Sequence, residues 1–249
     1  MSSLNRLVAY TNDLLSIDMF KDYGPNGLQV EGKHEIHRLI SGVSATEALI
    51  DAAIEHEADV LLVHHGWFWD KENPCVTGVK KRRLQKLMGH DISLLAYHLP
   101  LDAHPVLGNN AQLGELFGFS SEGVMDSQGI GNFGRLREYT SLEAFGEKIE
   151  KDLNRKPLLI SGGDHAIRRV AWCSGAAQGW IDKAIELGVD AFISGEISEH
   201  TVHTARESGI HYISAGHHAT ERYGVKALGD HLAAKHGLVH TFVDIDNPV

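Results

Sequence analysis

Cysteine is scarce, cationic charge is in deficit, and no long apolar run occurs. The two cysteines, Cys75 and Cys173, are far apart, and neither belongs to a C-x-x-C. That spacing argues against a disulfide framework and makes a reducing compartment the expectation; both residues read as structural. With 23 Lys and Arg against 33 Asp and Glu, the formal net charge is −10. Such a balance does not suit a surface built to neutralise a phosphate backbone, so nucleic acid is not an expected partner. The one cationic run, Lys80-Lys81-Arg82-Arg83, reads as a solvated face at a helix start. No stretch approaches the roughly 18 apolar residues of a membrane span, and M-S-S-L-N-R-L-V-A-Y has no apolar leader core. A soluble, cytoplasmic protein without a membrane partner is expected. Familiar motifs are missing too: there is no P-loop, no H-E-x-x-H and no G-x-S-x-G. G-I-G-N-F-G (Gly129 to Gly134) matches a dinucleotide fingerprint as a string only. No apolar strand precedes it, and the polar R-L-R-E-Y-T follows where a helix is needed.

Histidine is in excess, with 17 residues, about three times average usage. Clustering matters more than the total. A-Y-H-L-P-L-D puts His98 four residues before Asp102, and A-G-H-H-A-T-E puts His217 four residues before Glu221. D-V-L-L-V-H-H-G ends in the pair His64-His65. Each cluster follows a short apolar run, the placement expected of ligands at the carboxyl ends of buried strands. Imidazole and carboxylate together suit Zn, Mn, Fe, Ni or Co, and more than four such groups suit two ions rather than one.

At 249 residues, with 43% apolar and 22% charged residues, the chain can bury a sizeable core. Ser3 is a helix N-cap, with the helix reaching about Leu15. Asp22 to Gly32 reads as a turn-rich loop punctuated by Pro25 and Gly27. Strands are expected at His37 to Val43, Val60 to Val63 and Ile92 to Tyr97, with helices at Thr46 to Glu57 and Lys80 to Met88. In the second half Thr140 and Glu143 form a capping-box start for a helix to about Leu153. Strands follow at Val170 to Cys173, Ala191 to Ser194 and His211 to Ser214, with helices at Ile181 to Leu187 and Thr201 to Glu207. Apolar strands alternating with helices predict an α/β fold with mostly parallel sheets covered on both faces.

The halves also agree in letters. Ser41 to His65 can be laid on Ser174 to Glu196 with one small gap, matching Ser-Gly, Ile-Asp, Ala-Ile-Glu and the Asp before the strand. An internal duplication is therefore expected, two similar α/β halves over residues 1–124 and 125–249 facing a shared dinuclear metal site. The first half carries His64, His65 and Asp102; the second carries His217 and Glu221, and its C-terminal segment can pack back on the first.

Side chains alternate along a strand, so His64 and His65 serve one site only if the chain turns after Val63, which Gly66 permits; otherwise they face two ions across the backbone. Glu221 lies one helical turn from His217 if a helix begins near His218. Asp102 follows Pro100, so its pairing with His98 is expected in a loop, and Asp102 or Glu221 can bridge two ions. Glu196, His200, His218 and His98 suit supporting roles behind the ligands. His34, His37, His56, His90, His165, His231, His236 and His240 read as structural. Trp67, Phe68 and Trp69 read as a hydrophobic wall or subunit contact, with base stacking a secondary use.

D-Y-G-P-N-G-L-Q-V-E-G, V-H-H-G-W-F-W, H-L-P-L-D-A-H-P-x-x-G-N-N and G-H-H-A-T-E resemble signature segments of the Nif-three-like family, most closely its bacterial YbgI branch. Proteins of that branch are often named GTP cyclohydrolase 1 type 2 homologs. The resemblance implies two similar α/β domains and a dinuclear metal site. Its ligands would be His64, His65, Asp102, His217 and Glu221, with His98 close by. It also implies a toroidal homohexamer, a trimer of dimers. The expected activity is metal-dependent hydrolysis of a nucleotide-like or other small substrate by two divalent ions per subunit, with His98 moving a proton. The alternative is a non-catalytic metal carrier or ring-shaped scaffold.

Overall fold

The computed structural model of the protein describes residues 2–249. The chain forms two compact units, Met1–Leu101 with Gly224–Asp246, and Asp102–Tyr223 with Asn247–Val249.

In the first unit β1 (Ser2–Ser3) pairs antiparallel with β3 (Glu35–Ile36), and α1 (Leu4–Leu15) begins at Ser3, whose hydroxyl accepts from the Arg6 N–H. A five-stranded sheet follows from β2 (Gly27–Val30), β4 (Arg38–Ser44), β5 (Val60–His65), β6 (Ser93–Ala96) and β13 (Val239–Phe242), in the order β13-β4-β5-β6-β2. All neighbours are parallel except β2, which runs antiparallel on β6. Helices α2 (Glu47–Glu55) and α3 (Gly78–Gly89) connect β4 to β5 and β5 to β6. Thr46 starts α2 by accepting the Leu49 N–H at 3.2 Å. Leu49, Ile50 and Ala53 then bury one face of α2 against Ile40, Leu61 and Val63. Each large side chain so buried stabilises by about 1.5–3 kcal/mol. The cationic run lies on α3, where Arg82 and Lys86 pair with Glu47 and Lys86 also with Asp51.

The second unit contains α5 (Asn109–Phe117), α6 (Leu142–Leu153), α7 (Ile181–Glu186) and α8 (Glu199–Ser208). Its six strands are β7 (Ser120–Val124), β8 (Asn132–Thr140), β9 (Leu158–Ile160), β10 (Ile167–Cys173), β11 (Ala191–Ser194) and β12 (His211–Ser214), ordered β7-β8-β10-β11-β12-β9. β7, β10, β11 and β12 run one way, β8 and β9 the other. Phe145 and Ile149 of α6 bury against Val170, Trp172 and Ile213. Two further helices start soon after equivalent strands of this plan, α4 (Leu99–Ala103) after β6 and α9 (His217–His236) after β12.

The duplication is a matter of topology as well as letters. The series α1-β2-β4-α2-β5-α3-β6 repeats as α6-β9-β10-α7-β11-α8-β12, and the sheet order β4-β5-β6-β2 repeats as β10-β11-β12-β9. In both copies the first strand becomes the antiparallel edge. Gly32 and Gly162 follow those edges, and a Cβ on either would lie 2.3 Å from a backbone carbonyl, that of Asp91 or of Ile210.

Three local expectations change. Part of the loop from Asp22 to Gly32 is the strand β2, because a four-residue edge needs only backbone partners on β6 and little apolar sequence. The cap of α6 is Ser141, which accepts the Ala144 N–H at 3.2 Å; Thr140 stays in β8, paired with Ile167. Asp102 lies in α4 rather than a loop, since Pro100 falls in the first turn, where its missing N–H has no helical partner to lose. Gly129 and Gly131 both have positive φ in the turn between β7 and β8, so G-I-G-N-F-G is hairpin chemistry. Both cysteines are free, Cys75 exposed and Cys173 buried. Among the described residues no helix is long and apolar enough to cross a membrane.

Candidate metal centre

In the first unit the carboxyl end of β5 delivers His64 and His65, and the residue after the β6–Tyr97 stretch is His98. The three imidazoles each offer a nitrogen within 4.8 Å of the others. Ring centroids stand 4.6 Å apart for His64 and His65, 5.0 Å for His64 and His98, and 5.6 Å for His65 and His98. β5 keeps one register with β4 through Ser44–His65, and the chain leaves the sheet directly after it. Gly66 completes the exit, as a Cβ there would lie 2.3 Å from Gln29 Oε1 and 2.5 Å from Ala96 Cβ.

Hydrogen bonds orient the rings. His64 is buried and its Nδ1–H donates to the Tyr97 carbonyl at 2.9 Å. In the neutral imidazole this makes Nε2 the lone-pair nitrogen. His65 Nδ1 is 3.0 Å from Ser44 Oγ. His98 Nδ1–H donates to Asp22 Oδ1 at 2.7 Å, and its backbone N–H donates to Asn26 Oδ1 at 2.7 Å. Asp22 also accepts from the Tyr23 and Leu99 N–H groups and the Asn26 amide. Burial opposes ionisation of Asp22, but His98, then the Asn26 amide and the Tyr23 N–H, outweigh it and hold its carboxyl down at about 2. A carboxylate behind a histidine is the support that metal-ligating imidazoles commonly have.

In the second unit α9 begins at His217, so His217 and Glu221 share one helix face. His217 Nε2 is 3.2 Å from Glu221 Oε2, and its Nδ1 is 2.7 Å from Glu196 Oε1 beyond the end of β11. Burial disfavours the imidazolium, yet Glu221 and then Glu196 outweigh it and raise His217 to about 9. Glu221 is buried, and Gly175 (φ +65°) makes room for it: a Cβ there would lie 2.2 Å from Glu221 Oε1. Gly195 does the same for the backbone of His217, at 2.7 Å from its Cα. Asp102 is buried, and its Oδ1 accepts from Asn109 Nδ2 at 2.9 Å and Ser174 Oγ at 3.0 Å. Two donors on one oxygen fix the carboxylate plane.

These donors suit a divalent metal of the Zn, Mn, Fe, Ni or Co type, since imidazole and carboxylate are what such ions take and each unit supplies them oriented and buried or half-buried. Of the supporting candidates, Glu196 holds His217, while His200 is exposed on α8. His165, His231, His236 and His240 bond to Asp190, Tyr10, Ser2, and Ser41 with Asp230. Sequence reasoning passed over Asp22, Ser174, Asn109, Gly175 and Gly195. The Ser-Gly of the repeat (Ser174-Gly175) was the available signal.

A family model for Duf34/NIF3 (NGG1p interacting factor 3) matches residues 2–248. The chain belongs to the Duf34/NIF3 family. A relative from Pseudomonas aeruginosa named GTP cyclohydrolase 1 type 2 homolog is 53% identical over 249 residues, 99% of this chain and 98% of that one. Among solved structures, one described as protein ybgI of unknown function superposes with a TM-score of 0.97 at 45% identity, covering 100% of both chains. TTHA1606 from Thermus thermophilus does so with a TM-score of 0.91 at 36% identity, again over 100% of both. The two-unit α/β fold of this Duf34/NIF3 member is thus shared over its full length.

Proposed function

We propose that the protein is a dinuclear metal-dependent hydrolase acting on a nucleotide-like or other small substrate, with His64, His65, Asp102, His217 and Glu221 holding two divalent ions. The observation that carries this reading is the His64–His65–His98 cluster, three imidazoles with ligand nitrogens within 4.8 Å of one another. His64 and His98 each spend Nδ1–H on an oxygen acceptor, which directs Nε2 of a neutral ring to other work. Bound ions supply Lewis acidity toward water and toward the group under attack. Asp22 holds His98 in one orientation, and His98 gives or takes a proton at Nε2. Glu196 holds His217 from behind. The relative's name, GTP cyclohydrolase 1 type 2 homolog, favours a nucleotide-like substrate. A toroidal homohexamer, a trimer of dimers, belongs to the same reading and is checked by light scattering.

The test measures metal per chain by elemental analysis and screens nucleotides and phosphoesters with and without chelator. Near-stoichiometric metal, lost in His65→Ala and Glu221→Ala, with turnover abolished by chelation and restored by the ion, is expected. Full metal content in both variants would overturn the ligand assignment. Labile metal without any metal-dependent turnover would overturn the hydrolase and leave the carrier or scaffold.

A further inference from the structure

The loop after His65 is held in a costly conformation, and the residue it presents is Trp69. Phe68 has φ +66°, a left-handed value that a bulky side chain rarely adopts. A clasp keeps it there. The Phe68 N–H donates to Glu72 Oε2 at 2.8 Å, the Glu72 N–H donates to the Trp69 carbonyl at 2.8 Å, and Lys80 pairs with Glu72 Oε1 at 3.0 Å. Lys80 Nζ also lies 5.4 Å from the Phe68 ring centroid. A second tie runs to the Asp22 loop, where the Asp70 N–H donates to the Tyr23 carbonyl at 2.8 Å. Gly24 lies under the indole, since a Cβ there would be 3.2 Å from Trp69 Cε3.

The result is a corner of aromatic planes around His98. Trp69 stands at 84° to the imidazole with centroids 5.1 Å apart, and Tyr23 at 57° and 6.2 Å. Trp69 is half-buried, unlike Trp67, which is buried with its Nε1–H on the Ala45 carbonyl. Tyr23 is 65% exposed, and no described hydrogen bond engages its hydroxyl. A core role accounts for Trp67 but not for an exposed tyrosine and a strained, clasped turn that sets a tryptophan beside a candidate proton-transfer residue.

We infer that Tyr23 and Trp69 form a stacking site for a planar heteroaromatic ring, which places that ring beside His98. This deepens the nucleotide-like substrate reading and rests on it for the reacting centre, whereas the stacking itself requires no ion. Stacking of a base on an aromatic side chain is sequence-tolerant because every base offers a π-face, and its loss weakens binding by about tenfold per contact.

Equilibrium dialysis of guanosine against chelated protein tests it, with ribose 5-phosphate as the non-aromatic control. Saturable guanosine binding, little binding of the control, about tenfold weakening in Trp69→Leu and near-wild-type binding in Trp69→Phe are expected. Tyr23→Ala, at an exposed position that leaves folding intact, is expected to weaken binding several-fold. Glu72→Gln, which loosens the clasp, is expected to do the same. Unchanged affinity in both Trp69→Leu and Tyr23→Ala, or no guanosine binding by the wild type, overturns the inference. Metal content is measured in parallel on protein that has not been chelated, so a failed metal assignment shows there as absent metal while guanosine binding persists.

Discussion

Asp59 and Asp190 occupy the same place in two copies of one motif. Asp59 Oδ2 accepts from the His37 and Arg38 N–H groups at 2.7 and 3.1 Å, and Asp190 Oδ2 accepts from Arg168 and Arg169 at 2.8 and 2.7 Å. The spacings are 22 and 21 residues in both. Each aspartate also bonds through its backbone to one of those arginines and to the first residue of the next strand: Asp59 to Arg38 and Ser93, Asp190 to Arg169 and His211. One carboxylate per unit thus staples the start of the first parallel strand to the second.

Removing either staple orphans two backbone donors, so Asp59→Ala and Asp190→Ala are each expected to destabilise by about 2 kcal/mol in chemical denaturation at neutral pH. Burial opposes ionisation of Asp59, but the His37 and Arg38 N–H groups and Lys33 outweigh it and lower its carboxyl. Its contribution is therefore present above the unfolded value of about 3.9 and is lost as pH falls through the lower folded value. The gap between wild type and Asp59→Ala should shrink when the titrations are repeated in that acid range; a gap independent of pH would contradict the ionised staple.

His217 titrates in the opposite sense. Its folded value, raised to about 9, exceeds the unfolded value of about 6.5. In chelated protein the pairing with Glu221 and Glu196 stabilises fully below the unfolded value and is lost as pH rises through the folded one. If His217 is a ligand, as proposed, bound metal would take the place of that proton, and apparent metal affinity should rise by up to about tenfold per pH unit below the folded value. Calorimetry in buffers of different ionisation enthalpy reads the released proton directly.

Two glycines with nearly the same backbone separate strain from occupancy. Gly175 (φ +65°) and Gly237 (φ +67°) both cost about 1–2 kcal/mol as alanine from backbone strain. Only Gly175→Ala also drives a methyl to 2.2 Å from Glu221 Oε1, whereas Gly237 has nothing within 4 Å. Thermal melts should show both destabilised, and elemental analysis should show metal lost from Gly175→Ala alone.

Asp22→Asn removes the charged acceptor behind His98 without touching a proposed ligand. Metal content should stay at the wild-type level while kcat falls about 10- to 100-fold. A fall in KM with kcat intact would place Asp22 elsewhere in the cycle.

The parallel core strands and their helices were readable in the sequence, because V-L-L-V, L-L-A and A-F-I-S are buried on both faces and leave a continuous apolar trace. β12 (His211–Ser214) and β11 fall where their apolar runs do. The edges, and β8 next to one of them, were not readable. β2, β7, β8, β9 and β13 are held by backbone pairing at least partly exposed to solvent, which constrains side chains weakly.

The same division runs through the candidate site. Residue type and position after an apolar run were enough to single out His64, His65, His98, His217 and Glu221, because metal chemistry selects imidazole and carboxylate whatever surrounds them. The repeat was visible too, since copied elements kept their letters. Tertiary structure alone decided that His64 and His65 share one cluster, that Asp22 stands behind His98, and that Gly175 clears the space of Glu221. It alone gave the C-terminal segment its form on the first sheet, the strand β13 parallel to β4. Those are relations between residues distant along the chain, set by strand register and close approach, and no local pattern encodes them.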